Sequence, residues 1–392
     1  MLKRRYYRGT DLSQVQSIDE LRELARRRLP AFAWEYIESG VEDEHTLGHN
    51  RAVFQDYRFA PATLIDTSAR SIGIRLFGRD LATPLVVAPT GFNGLAYPQG
   101  DLALARAAAA VGVPFTLSSF SNTALETIAS EAPGELWMQL YLLENPAIGD
   151  ALVRRADAAG YAALVVTTDA QIASGREWQR RCYRVPGRLN WRHAIDAAWH
   201  WRWLAGFLRH GTPRFENLRD FFPPGQLSAT RGAPAITGQL KPRVTWRDIE
   251  RIRRNWSKPL LIKGIMSLAD ARRAHERGAD GIVLSNHGGR QMDDAIAPLE
   301  ILEQVKQALP DLPVLIDSGF RRGNDVLKAM ALGAAAVMLG RAPLYGLAAA
   351  GQAGAESALR MVLVELDRSL GLLGCNTLAE ANACLVRTRH PA

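Results

Sequence analysis

The sequence predicts an α/β fold, a (β/α)8 (TIM) barrel with N-terminal helices and a long insertion after its fourth strand. Three observations lead there. Eight short apolar runs recur along the chain, at 85–89 (LVVAP), 114–118 (PFTLS), 136–141 (LWMQLY), 163–168 (ALVVTT), 259–263 (PLLIK), 281–285 (GIVLS), 313–317 (PVLID) and 336–340 (AVMLG). Stretches of helical character separate them, and Gly112, Gly160, Gly278 and Gly333 each stand shortly before the next run. Glycine in that place ends a helix and lets the chain turn into a buried strand. The runs lie between residues 85 and 340, close to the ~250 residues that eight βα units occupy. A doubly wound open sheet is the other arrangement of such units, but no GxGxxG follows the first run.

Taken in order, the chain opens with a helical lead-in over 1–80, packed on an 81–392 barrel domain. Ser17 starts a first helix, with Glu20 three residues on as a capping box and Ile18, Leu21, Leu24 and Ala25 on one face. Pro30 starts a second through Phe32, Tyr36 and Ile37, which Gly40 ends. Residues 50–78 read as irregular chain with a short hairpin. The βα units follow from Leu81.

One connection breaks the rhythm. Residues 170–243 separate the fourth run from the helix that begins near Val244, many times the usual connection of ~4–6 residues. Within this insertion, 188–214 holds four of the nine tryptophans and five arginines against one acid, Asp196. Tryptophan and arginine interleaved with Ala, Leu and Phe fit a segment lying in a membrane interface. A capping subdomain with buried aromatics, or a partner-binding surface, is the plainer alternative, since helical spacing gives the stretch no clean apolar face.

Composition narrows the classes. With 392 residues, 47% of them hydrophobic, the chain can bury a large core. No run of 18 apolar residues occurs, and the basic N-terminus lacks the apolar segment of a secretion signal. Cys182, Cys375 and Cys384 show no metal-ligand spacing, so reduced thiols and no metal are expected. A net charge of +8 suits an acidic partner, but no nucleic-acid motif accompanies it and none is expected to bind.

In a (β/α)8 barrel the chemistry gathers at the C-terminal ends of the strands. The first four runs end in Pro89, Thr90 and Gly91; in Ser118; in Gln139 and Tyr141; and in Thr167 and Asp169. The last four end in Lys263; in Ser285, His287 and Arg290; in Asp317, Gly319 and Arg321; and in Gly340 and Arg341. The glycine loops of the last two occupy the usual phosphate position of this fold, where backbone N–H groups and arginine hold a dianion. Asp169 and His287 suggest a carboxylate orienting an imidazole base. Arg176 and Arg290 can hold a carboxylate with two parallel hydrogen bonds. Lys263 closes an otherwise apolar strand and needs an anionic or carbonyl partner to offset its lost hydration.

These motifs, SNHGGRQMD (285–293), LIKG (261–264), WMQLY (137–141), VVTTD (165–169) and LIDSGFRRG (315–323), resemble the FMN-dependent (S)-2-hydroxy acid dehydrogenases and oxidases across nearly the whole chain. Within that family the pattern is most similar to the mandelate dehydrogenases. The resemblance implies a (β/α)8 fold, FMN as cofactor, and oxidation of an (S)-2-hydroxy acid, aromatic and mandelate-like, to the 2-oxo acid. A lactate dehydrogenase or an oxygen-using oxidase is the nearest alternative; a non-redox FMN barrel or a binding protein belongs to another class. It implies His287 as base with Asp169 orienting it, and Tyr36, Arg176 and Arg290 on the substrate carboxylate. Tyr141 would bond the hydroxyl, and Lys263 would offset charge on the flavin. Pro89, Thr90, Gly91, Ser118, Gln139, Thr167 and Ser285 would serve the flavin ring, and Asp317, Gly319, Arg321, Gly340 and Arg341 its ribityl chain and phosphate. Gly91 stands where many oxidases of the family have alanine, which implies slow reaction with oxygen. Phe120 replaces a tryptophan of the glycolate-oxidising members. Electrons are expected to pass to a membrane quinone or similar acceptor, from a homotetramer held peripherally on the inner face of the cell membrane.

Overall fold

In a computed structural model of the protein, which describes residues 6–185, 187–228 and 233–388, the eight apolar runs form one closed parallel barrel. Its strands are Leu85–Thr90, Phe115–Leu117, Leu136–Tyr141, Ala163–Thr167, Leu260–Ile265, Gly281–Leu284, Val314–Ile316 and Ala336–Leu339. Closure is direct: Val337 of the eighth strand lies opposite Leu85 of the first, and Leu260 of the fifth opposite Leu164 of the fourth, across the insertion. The runs are continuous in apolar residues because both faces are covered. Val86, Ala88, Val165, Leu261, Val283, Leu315 and Met338 point inward, while Leu85, Val87, Leu164, Val166, Leu260 and Ile262 pack under the surrounding helices. That is the two-residue alternation of a strand with two buried sides.

The bottom of the barrel is plugged and the top is left open. A hairpin, Ile74–Leu76 paired with Arg79–Leu81, turns through Phe77 and Gly78 at positive φ. Phe77 lies on Trp137, with ring centroids 6.1 Å apart.

The N-terminal helices are Ile18–Arg28 and Ala31–Glu38. The first packs on the C-terminal helical stretch Arg341–Leu373, which non-helical backbone at Ala350 and Gly351 divides into two helices. Ser17 Oγ accepts the Glu20 N–H at 3.2 Å, yet the expected capping box is only half formed. The Glu20 carboxylate instead accepts the N–H groups of Tyr7 and Gln16, because the preceding chain folds back over the helix start. Pro30 is the cap residue and not the first helical one, and the second helix stops at Glu38, two residues before Gly40. The stretch expected to be irregular begins inside a further helix, His45–Ala52. Tyr57–Phe59 then pairs with Leu385–Arg387 near the other end of the chain. Of the expected regions, residues 1–5, 186, 229–232 and 389–392 lie outside the described residues.

The insertion folds as a short helix, Glu177–Arg181, a small hairpin, and the helices Trp191–Trp199 and Trp201–His210. The two helices break at His200, whose ψ of 61° is not helical, which is why a single helical spacing finds no apolar face. The pair is fastened to the lead-in and to the barrel mouth. Asp196 accepts the Ala31 N–H at 2.6 Å, and the buried Trp203 donates its indole N–H to the Leu95 carbonyl at 2.7 Å. The other tryptophans are turned outward: Trp191, Trp199 and Trp201 are 69%, 80% and 67% exposed, beside Ile195 and Leu208. Arg192 and Arg202 each lie over the neighbouring indole, Trp191 and Trp201. No helix among the described residues is long and apolar enough to cross a membrane.

Candidate active site

The loops at the open end of the barrel enclose a cavity of about 710 Å³, within the range of small-molecule sites. Tyr36, Pro89, Thr90, Gly91, Ser118, Tyr141, Arg176, Lys263, His287, Arg290, Asp317, Gly319, Arg321, Gly340 and Arg341 line it. The four remaining residues singled out from sequence, Gln139, Thr167, Asp169 and Ser285, stand one layer behind. Gln139 donates to Thr167 Oγ1 at 2.9 Å and accepts from Ser118 Oγ at 3.2 Å. Ser285 Oγ accepts both the Lys263 ammonium, at 2.7 Å, and the His287 N–H, at 3.0 Å.

His287 is delivered by the loop after the sixth strand with φ at +57°, a left-handed backbone that only a built turn holds for a non-glycine residue. Its Nδ1 lies 2.9 Å from Asp169 Oδ1. Burial alone would raise the Asp169 carboxyl, but the facing His287 and Lys263 hold it below its ordinary value. Asp169 is clamped from behind by Gly264, at φ +103°, where a Cβ would come within 2.6 Å of the Asp169 Cβ. Gln291 fixes the backbone by donating to the Asp169 carbonyl at 3.0 Å.

Lys263 is 4% exposed and lies 3.0 Å from Asp317. Burial would lower its pKa; Asp317 and Asp169 outweigh that and raise it. Asp317 is the one carboxylate lining the cavity among the described residues, against the cations Arg176, Arg180, Arg184, Lys263, Arg290, Arg321 and Arg341. Such a cavity draws anions.

The guanidiniums have distinct supports. Arg290 donates to the Tyr36, Ile37 and Ser39 carbonyls at 2.8–3.3 Å and lies over the Tyr36 ring. Burial, with Arg176 and Arg341 close by, pushes its pKa well down. An anion among these groups would offset that crowding of like charge. Arg176 approaches the Tyr36 ring from the insertion. Arg341 donates to the Ile37, Glu38, Ser39 and Gly288 carbonyls, so in this structure it braces the second helix against the sixth loop. Arg321 lies over the ring of Tyr345, whose hydroxyl donates to Glu38 at 2.7 Å.

Two features bear on a flavin. Thr90 Oγ1 is buried on the cavity wall with no hydrogen-bond partner, which calls for a ligand atom or water. At Gly340 an added Cβ would meet nothing nearer than 3.9 Å, so backbone faces open space beside Arg321 and Arg341, as a phosphate cradle requires. The residues present therefore fit FMN: a polar and glycine-lined wall for the ring and cations at the phosphate end.

Aromatic side chains form another wall. Phe120 stacks on Tyr141 with centroids 4.9 Å apart and planes at 24°, and Phe92 meets Phe120 and Phe215 edge-on. Burial pushes the Tyr141 hydroxyl pKa up. Phe92, Gln291, Ser318 and the insertion residues Ile172, Tyr183 and Leu240 were not singled out from sequence, yet all line the cavity. Gln291 sits inside the SNHGGRQ motif and could have been read; the insertion residues carry no local signal, because their approach depends on how that segment folds back.

Comparison with known proteins follows the same lines. Residues 25–388 match the family model of the FMN-dependent dehydrogenases. The chain is 43% identical to (S)-mandelate dehydrogenase of Pseudomonas putida, over 92% of its own length and 90% of that protein's. It is 37% identical to glycolate oxidase 1 of Zea mays, over 94% and 95%. A crystal structure of the monotopic membrane protein (S)-mandelate dehydrogenase superposes with a TM-score of 0.91 at 41% identity, over 95% of this chain and all of that one.

Proposed function

The chain belongs to the FMN-dependent dehydrogenase family, and on that premise we propose that it oxidises an aromatic (S)-2-hydroxy acid of the mandelate kind to the 2-oxo acid. The observation that carries the proposal is His287, bonded to Asp169 behind it, lining the same cavity as Arg176 and Arg290. FMN, when bound, supplies a two-electron acceptor. The protein supplies position and proton transfer.

With Nδ1 engaged by Asp169, Nε2 of His287 is the nitrogen left to take the proton from the substrate's hydroxyl or α-carbon. Asp169, held as a carboxylate, stabilises the imidazolium that results. Arg176, Arg290 and the Tyr36 hydroxyl would hold the substrate carboxylate, and the Tyr141 hydroxyl would bond the 2-oxygen. Lys263 would offset negative charge on the flavin ring, steadied by Ser285. Pro89 to Gly91, Ser118, Gln139 and Thr167 would fix that ring; Asp317, Gly319, Arg321, Gly340 and Arg341 would take the ribityl chain and phosphate. The aromatic wall of Phe92, Phe120 and Tyr141 favours an aryl side chain over the methyl of lactate.

The proposed acceptor is a membrane quinone, reached from the cytoplasmic face of the cell membrane. The exposed Trp191, Trp199 and Trp201, with arginines over two of them, support a seat among lipid headgroups. A relative at 41% identity is described as a monotopic membrane protein. We expect the wild type to sediment with vesicles containing phosphatidylglycerol at low salt. The triple substitution W191S/W199S/W201S is expected to stay in the supernatant while its turnover with a soluble dye acceptor remains within about twofold. Co-sedimentation of the triple variant to the wild-type extent would refute this seat. A homotetramer is proposed from family membership, to be read by light scattering.

A further inference from the structure

The loops after the first and second barrel strands are tied together by a single carboxylate that takes no part in the chemistry above. Asp101, in the first turn of the helix Gly100–Ala110, is fully buried. It accepts the side-chain N–H of Asn93 and the backbone N–H of Asn122, each at 2.7 Å. Both partners pass the constraint on. Asn93 Nδ2 also donates to the Thr90 carbonyl at 2.9 Å. Asn122 Oδ1 accepts the Gly94 N–H at 2.9 Å, and its Nδ2 donates to the Arg214 carbonyl of the insertion at 3.0 Å.

A buried carboxylate is costly to keep. Burial pushes Asp101 up to about 6 against the bonds from Asn122, Asn93 and Ser121, and no Lys, Arg or His forms an ion pair with it among the described residues. An apolar residue would fill the space more cheaply. What the carboxylate adds is geometry: two oxygens aimed at two loops.

We infer that Asp101 is a positioning residue of the active site, setting the loop of Thr90 and Gly91 against the flavin. The inference rests on the FMN reading above. Thr90 brings to the cavity the hydroxyl that has no protein partner, and the Gly91 carbonyl accepts the Tyr36 hydroxyl at 3.1 Å. A shift of this loop therefore moves one group facing the ring and one facing the carboxylate. Asn122 extends the constraint to the loop carrying Phe120 and to the foot of the insertion.

The test uses the purified holoenzyme and two variants. Asp101→Asn presents an amide N–H2 where a donor already points, so only one of the two bonds survives. Asn93→Ala removes the donor shared by one Asp101 oxygen and the Thr90 carbonyl and leaves the carboxylate itself in place. Both are expected to bind FMN, to shift its visible absorption and its affinity for sulfite, and to lower kcat roughly 10- to 100-fold, the scale of a sub-ångström to ångström misplacement, with KM changed much less. The inference is overturned if folded Asp101→Asn, or Asn93→Ala where the first does not fold, keeps the wild-type absorption, sulfite affinity and kcat. A lower Tm with unmoved flavin signals overturns it too, since that is what a merely structural bond gives. A wild type that neither carries nor takes up FMN would instead refute the cofactor reading itself.

Discussion

Replacing His287 by alanine is expected to lower turnover by about 10²–10⁴, the range that a general base contributes, while FMN stays bound. The retention follows from the contacts: the His287 side chain bonds Asp169 and no group of the proposed phosphate end. One complication has to be separated from chemistry. His287 sits at φ +57°, where alanine carries a backbone cost of about 1–2 kcal/mol. Asparagine tolerates that region better, so His287→Asn serves as the control for strain. Both variants are expected to show that loss of turnover, and only the alanine to lose stability. Steady-state turnover within tenfold of the wild type, in either, would remove His287 from the role of base.

The second large effect concerns stability. Lys263→Met is expected to destabilise the protein by about 3–5 kcal/mol, the cost of stripping one partner from a buried pair. Lys263 lies 3.0 Å from Asp317 with both nearly buried, and Asp169 also acts on it. Without the ammonium two buried carboxylates lose their shared counter-charge. Equilibrium denaturation measures the loss. The double variant Lys263→Met with Asp317→Asn is expected to recover part of it, because the stranded charge is then gone. A single variant as stable as the wild type would mean that Asp317 finds water or another donor, and that Lys263 owes its place to the flavin alone.

How far these features were legible in the sequence depends on how local their causes are. The eight strands could be read because both faces of each are buried, which leaves uninterrupted apolar runs closed by a polar residue. Lys263 and Asp317 stood out as charged ends of such runs, and the structure pairs them. The helix His45–Ala52 could not be read. Its sequence has no apolar stripe, and its first N–H groups, those of His45 and Thr46, are accepted by Asp293 from a distant loop. The half-formed cap at Ser17 failed for a similar reason: Glu20 is diverted to Tyr7 and Gln16. In the insertion, composition suggested an interface, but the outward face emerges only because the chain breaks at His200 and Trp203 alone turns inward. The Arg290 and Arg341 side chains were expected at ligand anions. The structure adds that both also cap the carbonyl end of the helix Ala31–Glu38, a long-range contact that no motif announces. Asp101 went unnoticed because a lone acid at a helix start is ordinary, and only its burial separates it from the rest.

The central claim is that this cavity oxidises a 2-hydroxy acid with FMN, and one measurement addresses it most directly. The purified protein is mixed anaerobically with (S)-mandelate, and separately with L-lactate, while the visible absorption of the flavin is followed. The expected result is rapid bleaching by (S)-mandelate, slower or weaker bleaching by lactate, and slow return of colour when air is admitted. A flavin that stays fully coloured with both acids would contradict the account.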